Sequence, residues 1–536
     1  MPHPRPLRPR LVPVLLALAA ATALVACSAP ANPDASRDAD RTRLTLVDPN
    51  EPDSLNPLLG YAESGASKLF DGLLAYRADR TLEPALAAEL PQPSADGKSW
   101  TVKLRKDVRF HDGSPFDAAD VVATYKAALN PAYASTVRSS LSMISDVVEM
   151  DPRTVRFDLA YPYAPFQHKL VMGILPSEVL AKPEPQDRSP MNVKPIGTGP
   201  YELEDWRRGE RMVLKANDTY WGGAPKIRKI TVVFATDDNT RAQRLRGGDF
   251  DGGPLPPKLA KTFENTDGFK VVTHRTSDYR TIEMPMGNPV TGDKAIRLAL
   301  NYAVNRKGMI DALLAGKGAP ASTPIPQSLP EFVEPSAQFR YDRAEAERVL
   351  DEAGWVKGDD GIRGRDGRRA AFTVMYPAGD NVRKDLAQAF ASDAKAVGVE
   401  VNLEGLGWDA IEPRMGQDAL VLGDGNPFDP DLTSYPLLHS SYAGDGFNNP
   451  GSYKNPEVDE ALDAARRTID PAQRVAYYKQ FQRAYAADPG MVFLVFLDHT
   501  YVVRDGWTGY EPIVEGHVHG FTWGPWWNVQ DWAPKR

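Results

Sequence analysis

The sequence predicts an α/β fold that is divided into at least two lobes. Short runs of β-branched and aromatic residues alternate with segments of helical periodicity along nearly the whole chain, which is typical of α/β architecture. The chain has 536 residues, which is too many for a single hydrophobic core. Its 42% apolar and 25% charged content is ordinary for a globular protein, so we expect the length to be shared between lobes.

Strands are predicted where β-branched and aromatic residues cluster in short runs bounded by turn residues. These runs are 42–47, 100–104, 154–159, 212–215, 230–235, 372–376, 399–403 and 491–497. Two glycines, Gly197 and Gly199, precede a further strand and are expected to allow a close approach of backbones. The glycines between Gly361 and Gly367 fit a hairpin turn, because no helix follows them at once.

Helices are predicted from apolar residues at helical spacing behind residues that can cap an N-terminus. Asp117 and Asp342 stand directly before two of these segments, where a carboxylate can accept the unpaired amide hydrogens of a first turn. The predicted helices are 118–129, 293–315, 343–353, 381–396, 455–465 and 471–486.

The start of the chain resembles a bacterial lipoprotein signal peptide. Arg5, Arg8 and Arg10 precede an apolar stretch, 11–25, that is short for a transmembrane helix. The sequence Leu24-Val25-Ala26-Cys27 looks like a lipobox, in which the cysteine is lipidated and becomes the first mature residue. Cleavage at an ordinary signal-peptidase site is the alternative.

The chain contains one cysteine, so neither an internal disulfide nor a thiolate metal cluster is expected. A lipid on Cys27 would hold the protein at the outer face of the cell membrane without a membrane span. We therefore expect residues 1–26 to be a signal peptide and 27–43 to be the lipidated cysteine and a flexible tether. The expected location is outside the cytoplasm.

The net charge argues against nucleic acid as a partner. The formal charge is −8 at pH 7, and it becomes −11 once Arg5, Arg8 and Arg10 are removed with the signal peptide. Proteins that bind nucleic acid carry the opposite excess, because they must neutralise phosphates.

Nine segments in order resemble one family over roughly 44–500. The first is Glu51-Pro-Asp-Ser-Leu-Asn-Pro57, and the longest is the run 96–113, which continues into 117–121. The remaining segments are 70–74, 82–87, 196–201, 217–222, 297–303, 351–355 and 455–459. Together they resemble the family 5 extracellular solute-binding proteins of ABC importers, which include oligopeptide, dipeptide and nickel binders.

The resemblance implies a type II periplasmic-binding-protein fold, in which two α/β lobes enclose the ligand and an extra subdomain is inserted in the first. Lobe I is expected at 44–275 and 498–536, with the subdomain at about 70–190, and lobe II at 276–497. The resemblance further implies a monomer without a cofactor, which captures a small peptide or peptide-like solute. It would deliver this ligand to permease and ATPase subunits in the membrane.

In peptide-binding members of the family, an aspartate three residues before an acidic-Pro pair receives the ligand's α-amino group. The pair here is Asp429-Pro430, which puts Asn426 at that position. An amide oxygen can accept a hydrogen bond but cannot neutralise an ammonium, and Asp424 is the nearest residue that could supply the charge. The alternative is that these side chains only cap and turn a loop rich in Gly and Pro.

The same loop is similar to the nickel-binding branch, whose members hold the metal through an organic chelator and histidines. His439 follows the loop, and His517 and His519 could face one side of a strand near the C-terminus. Solvent-facing histidines are the alternative. The sequence carries no HExxH, CxxC or acidic cage for a bare metal ion.

Aromatic residues accompany the predicted cleft and suit an apolar wall. They are Tyr61 after the first motif, Trp408 and Tyr435 on either side of the Asp424 loop, and Tyr442 beyond His439. Arg138 in the subdomain is a candidate partner for a ligand carboxylate, and a surface arginine is the alternative.

An extracellular hydrolase is the rival from another class. The sequence has no Gly-x-Ser-x-Gly elbow and no evident Ser, His and Asp arrangement. Paired carboxylates alone do not exclude a glycosidase. A receptor for an external signal is a third interpretation, which the sequence does not separate from transport.

Overall fold

A computed structural model describes residues 41–517 and 521–535. The expected signal peptide, the lipidation candidate Cys27, most of the tether and the metal candidate His519 lie outside these described residues. Within the two described ranges, no helix combines the length and the apolarity needed to cross a bilayer.

The larger sheet has seven strands and forms the centre of lobe I. The strand Arg43–Asp48 pairs in parallel with both of its neighbours, and the strands farther out pair in antiparallel fashion. Across the sheet the strands are Phe269–His274, His499–Arg504, Gly252–Pro254, Arg43–Asp48, Lys229–Phe234, Arg211–Ala216 and Tyr201–Arg207. Separate apolar clusters pack on its two faces, as expected for a sheet covered on both sides.

The second sheet has six strands and forms the centre of lobe II. Its strands in order are Gly318–Pro320, Met491–Leu497, Tyr279–Glu283, Ala419–Asp424, Ala371–Pro377 and Glu400–Leu406. Every residue of Met491–Leu497 is apolar and buried, because this strand has apolar clusters on both of its faces.

Smaller sheets surround these two. A four-stranded antiparallel sheet shares the apolar core of lobe I, and a three-stranded hairpin sheet lies in the lobe II part of the chain. The four strands are Gln92–Pro93, Ser99–Lys103, Thr154–Leu159 and Ile144–Asp151. The three are Val356–Lys357, Arg363–Arg365 and Arg368–Arg369, and the last two confirm the predicted hairpin turn. Two-stranded pairs join Leu74–Tyr76 to Leu82–Pro84 and Trp507–Thr508 to Ala533–Pro534.

The predicted strands and most predicted helices are confirmed. The Asp117 carboxylate caps its helix while the Asp117 amide donates in return to the Asp120 carboxylate, and the Asp342 carboxylate accepts from the Glu345 amide. The helices of eight residues or more are Ala118–Leu129, Asp238–Arg246, Lys294–Ala303, Arg306–Leu313, Arg343–Glu352, Asn381–Ala396, Asp431–Leu438, Pro456–Arg467 and Pro471–Ala487.

One helix prediction is wrong, because the segment 293–315 forms two helices. The first helix ends at Ala303, and Asn305 caps a new one by accepting a hydrogen bond from the Gly308 amide. The Asn305 amide itself donates to the Asp393 carboxylate, which fixes the break. A local cap with a tertiary partner therefore overrides the continuous periodicity.

The chain crosses between the two large sheets along two neighbouring paths. Phe269–His274 leads into Tyr279–Glu283, and Met491–Leu497 returns into His499–Arg504. The paths are paired in antiparallel register on both sides of the crossing, His274 with His499 and Tyr279 with Phe496. This is a two-lobed α/β architecture. The lobe limits and the inserted subdomain given above remain our proposal.

The predicted close approach at Gly197 and Gly199 is confirmed. A Cβ atom at Gly197 would lie 1.9 Å from the carbonyl oxygen of Leu69, and one at Gly199 would lie 2.6 Å from that of Lys68. Both distances are far shorter than van der Waals contact and involve backbone atoms. Only glycine lets the strand entry pack against residues 68–69.

We expect Gly197→Ala to lower the free energy of unfolding by about 1–3 kcal/mol, because the added methyl group forces a backbone shift. Gly247→Ala is the matched control, since its backbone is helical and its nearest atoms lie at 3.6 Å. Denaturant unfolding followed by circular dichroism measures both variants. Equal stability of the two variants would contradict the packing described here.

Candidate ligand-binding site

A cavity of about 240 Å³ lies where the two lobes face each other. Its polar lining from lobe I includes Glu63, Ser140, Tyr163, His168 and Lys169. Its polar lining from lobe II includes Asp424, Asn426, Asp431, Tyr442 and Arg466. His517 from the C-terminal segment also contributes. The predicted residues Asp424, Asn426, Tyr442 and His517 therefore converge on one cavity.

The Asp424 loop is held against the crossing strands by close backbone packing. Asp424 is the last residue of the strand Ala419–Asp424, and Gly425 follows with a φ of +146°. A Cβ atom at Gly425 would lie 1.9 Å from the carbonyl oxygen of Ser277, and the Gly425 oxygen accepts a hydrogen bond from the His517 amide. This packing fixes the direction in which the Asp424 side chain enters the cavity.

The Asp424 carboxylate lines the cavity, and no side chain among the described residues forms a hydrogen bond or an ion pair with it. Asp424 stays partly exposed to solvent, and partial desolvation by the surrounding cavity walls raises the pKa of Asp424. The negative charges of Asp278 and Glu63 add to the rise, whereas a hydrogen bond from the Gly425 amide and the positive charge of Arg280 oppose it. An opposite charge from a ligand would remove this penalty.

Asn426 has the capping role that the sequence offered as an alternative. Its side-chain oxygen accepts a hydrogen bond from the backbone amide of Phe428 at 3.0 Å, and the backbone amide of Asn426 donates to Thr433 Oγ1 at 2.8 Å. Asp429 also has a structural partner, because its carboxylate accepts two hydrogen bonds from the Arg474 guanidinium. Within this loop, Asp424 is therefore the carboxylate without a side-chain partner in the described chain.

An ion pair of lobe II contacts lobe I at the side of the cavity. Arg466 donates two hydrogen bonds to the buried Asp431 carboxylate, at 3.0 and 2.9 Å. From lobe I, the Tyr163 hydroxyl donates to the same carboxylate at 2.8 Å, and the Ala164 amide donates to the Arg466 carbonyl. Asp431 and Arg466 therefore neutralise each other and leave no net charge for a ligand.

Lys169 is a cation that lines the cavity from lobe I. Over the ranges 41–517 and 521–535, its ammonium has neither a hydrogen bond nor an ion pair. Burial lowers the pKa of Lys169, and the nearby negative charges of Glu63 and Asp431 oppose that change. A ligand carboxylate would supply the missing partner.

Behind the cavity, a buried network of histidines and carboxylates joins the crossing strands. The two ring nitrogens of His499 lie 2.9 Å from Asp278 and 2.8 Å from Glu515. His274 contacts the other oxygen of Glu515, and His517 lies 2.9 Å from Asp278. His517 is thus held by a structural carboxylate at the cavity wall.

Three predicted site residues lie away from this cavity. Tyr61 packs edge-to-face on Phe70 in the lobe I core. Arg138 is exposed and donates to the Leu129 carbonyl, so the alternative of a surface arginine is the one observed. Trp408 packs on Phe447 with 37% of its surface exposed.

Tyr435 and His439 support the cavity wall from behind. Their rings stack with centroids 4.2 Å apart, and the Arg466 guanidinium also lies over the Tyr435 ring. The Tyr435 hydroxyl donates to Asp463. These aromatic residues position Arg466, and neither lines the cavity.

The sequence interpretation missed Glu63, Lys169 and the Asp431–Arg466 pair. Glu63 directly follows the Tyr61 region, and Lys169 ends an aromatic stretch that begins at 161. The mixture of aromatic and polar residues in 161–169, directly after the strand Thr154–Leu159, could have indicated a ligand-binding segment. The Asp431–Arg466 pair had none, because its members belong to different helices.

No group of three or more His, Cys, Asp or Glu side chains in the described ranges could hold a metal ion. A larger cavity of about 540 Å³ lies within lobe I, lined by Asp71, Tyr220 and Trp523 among others. None of the predicted site residues lines it. The interlobe cavity is therefore the better candidate.

The His499 network predicts alkaline destabilisation. Burial alone would lower the pKa of His499, but its hydrogen bonds to Asp278 and Glu515 raise it to about 9 from an ordinary 6.5. The stabilisation is therefore complete below pH 6.5 and is lost as the pH rises toward 9, a loss of about 3 kcal/mol. Denaturant unfolding at pH 6, 7.5 and 9 measures it.

We expect His499→Gln to be less stable than the wild type at pH 6.5 and to lack the alkaline decline. His439→Gln is the control and should keep the decline, because burial lowers the pKa of His439 and places its titration at lower pH. A His499→Gln protein whose stability still falls over this range would contradict the assignment.

Comparisons with known proteins agree with this geometry. The family model for bacterial extracellular solute-binding proteins, family 5, matches residues 81–445. Protein XP55 of Streptomyces lividans is 47% identical over 504 residues, which covers 94% of this chain and 92% of that relative. The oligopeptide-binding protein AppA of Bacillus subtilis is 29% identical, with 94% and 95% coverage.

Solved structures of the same class are similar over nearly the whole chain. The structure of NikZ from Campylobacter jejuni in complex with Ni(L-His) has a TM-score of 0.84 at 29% identity, covering 92% of this chain and 99% of that one. The structure of AppA from Bacillus subtilis in complex with a nonapeptide has a TM-score of 0.80 at 28% identity, with the same coverage. With two lobes and a cavity between them, this chain belongs to the bacterial extracellular solute-binding proteins of family 5.

Proposed function

We propose that the protein captures a short peptide or peptide-like solute outside the cell and delivers it to an ABC importer. The observation that carries this proposal is a pair of unmatched charges. The Asp424 carboxylate from lobe II and the Lys169 ammonium from lobe I line the same cavity, and neither has an ion-pair partner in the described chain. A ligand with a free amine and a free carboxylate complements both.

The positions of Asp424 and Lys169 on different lobes and the size of the cavity support this assignment. Groups from two lobes can bind one ligand only when the lobes are close together, so a ligand that joins Asp424 to Lys169 would favour the closed form. The cavity of about 240 Å³ is small compared with typical ligand pockets, which suits a small solute. Relatives named as oligopeptide-binding and glutathione-binding proteins provide chemical precedent.

Binding of a nickel chelate is the alternative, supported by the likeness to NikZ and to the nickel-binding periplasmic protein of Escherichia coli. His517 lines the cavity, as this alternative requires. One observation weighs against it, because His439 lies behind the wall and does not line the cavity.

We further propose that the protein acts without catalysis, as a monomer that needs no cofactor. Its partners would be the permease and ATPase subunits of the importer, and Cys27 would carry the lipid that anchors it to the membrane. The shared family, whose members are solute-binding proteins, supports reversible capture over a hydrolase.

Isothermal titration calorimetry with Ala-Ala and N-acetyl-Ala-Ala tests the amine site. We expect Ala-Ala to bind, and acetylation to weaken binding about 10- to 100-fold, because a hydrogen bond to a charged group contributes about 1.5–3 kcal/mol. Asp424→Asn should weaken binding of Ala-Ala by a similar factor. Asp366→Asn is the control, since that carboxylate is 93% exposed.

Wild-type affinity of Asp424→Asn for Ala-Ala would refute the assigned role of Asp424. Thermal stabilisation by Ni²⁺ with L-histidine, with none by di- or tripeptides, would replace the peptide proposal with the chelate alternative.

A further inference from the structure

The charges that line the interlobe cavity do not balance. The carboxylates are Glu63, Asp424 and Asp431, and the lysine and arginine side chains are Lys169 and Arg466. Asp431 and Arg466 neutralise each other through two hydrogen bonds. Two carboxylates and one ammonium are left facing the space that a ligand would fill.

Glu63 forms no ion pair with any residue that the structure describes. Its carboxylate accepts one hydrogen bond, from Ser140 Oγ at 2.6 Å, and has no cation within 4 Å among the described residues. A hydroxyl donor orients a carboxylate without cancelling its charge. Its negative charge contributes to the raised pKa of Asp424, so the two carboxylates lie within electrostatic range of each other.

One ammonium cannot compensate both carboxylates. Lys169 interacts with Glu63 only at a distance beyond 4 Å, and burial lowers the pKa of Lys169. The two histidines that line the cavity do not supply the missing positive charge. Burial lowers the pKa of His168, whose Nδ1 bonds to the Tyr76 hydroxyl, and His517 is held by Asp278.

We propose that the cavity selects ligands with two positive charges and one negative charge, that is, short peptides or peptide-like solutes with a free N-terminus and a basic side chain. This inference rests on the proposed function. Asp424 would take the α-ammonium, Lys169 the carboxylate and Glu63 the basic side chain. Such a ligand leaves no uncompensated charge when the lobes enclose it, whereas a neutral side chain leaves Glu63 desolvated and unpaired.

Calorimetry with matched dipeptides tests the selectivity. Ala-Lys is compared with Ala-norleucine, which has a side chain of similar length without the charge, and Lys-Ala is compared with norleucine-Ala. We expect the lysine peptide to bind about tenfold more tightly in at least one sequence order, because a charge-assisted hydrogen bond replaces an unpaired carboxylate. Ala-Glu should bind more weakly than Ala-norleucine.

The variant Glu63→Gln assigns the effect to one side chain. The ratio of lysine to norleucine affinity should fall to within about twofold of unity, because the amide keeps the shape but loses the charge. Glu89→Gln is the matched control, since Glu89 pairs with Lys103 at the surface of the same lobe and should keep the wild-type ratio.

The outcomes separate this inference from the proposed function. Equal affinities of the lysine and norleucine peptides for the wild type would overturn the charge selectivity and leave peptide binding standing. An unchanged affinity ratio in Glu63→Gln would overturn the role of Glu63. Failure of every peptide to bind would refute both proposals.

Discussion

The antiparallel pairing of the two crossing strands is the constraint on which the rest of the structure depends. His274 pairs with His499 in one sheet, and Tyr279 pairs with Phe496 in the other. Buried hydrogen bonds from His499 to Asp278 and Glu515 join the same segments. Because the Asp424 loop packs against Ser277, the element that connects the lobes also sets the position of the binding carboxylate.

Charged groups around the cavity fall into two kinds. The Asp431–Arg466 and Asp429–Arg474 pairs are satisfied by bidentate hydrogen bonds and hold the wall in place. Asp424 and Lys169 have no such partners in the described ranges, and desolvation disfavours the charged form of each. A protein keeps desolvated charges unpaired only at a cost, so their occurrence in one cavity points to a ligand that pairs them.

Local features of the fold were predictable from the sequence, whereas pairings across the fold were not. The capping by Asp117 and the close approach at Gly197 follow from residue type and neighbours. The break at Asn305 was missed because its fixing partner, Asp393, belongs to another helix. Asp424 and His517 came from the family resemblance, but the role of Lys169 depends on the lack of a carboxylate within 4 Å in the described ranges, which only three-dimensional packing decides.

A crystal structure of the protein bound to a short basic peptide would show whether Asp424 and Lys169 hold the two ends of the ligand. We expect the ligand between the lobes, with its α-ammonium within about 2.7–3.2 Å of the Asp424 carboxylate and its carboxylate against Lys169. An α-ammonium bound at Asn426 with Asp424 turned away, or a ligand in the lobe I cavity beside Trp523, would contradict it.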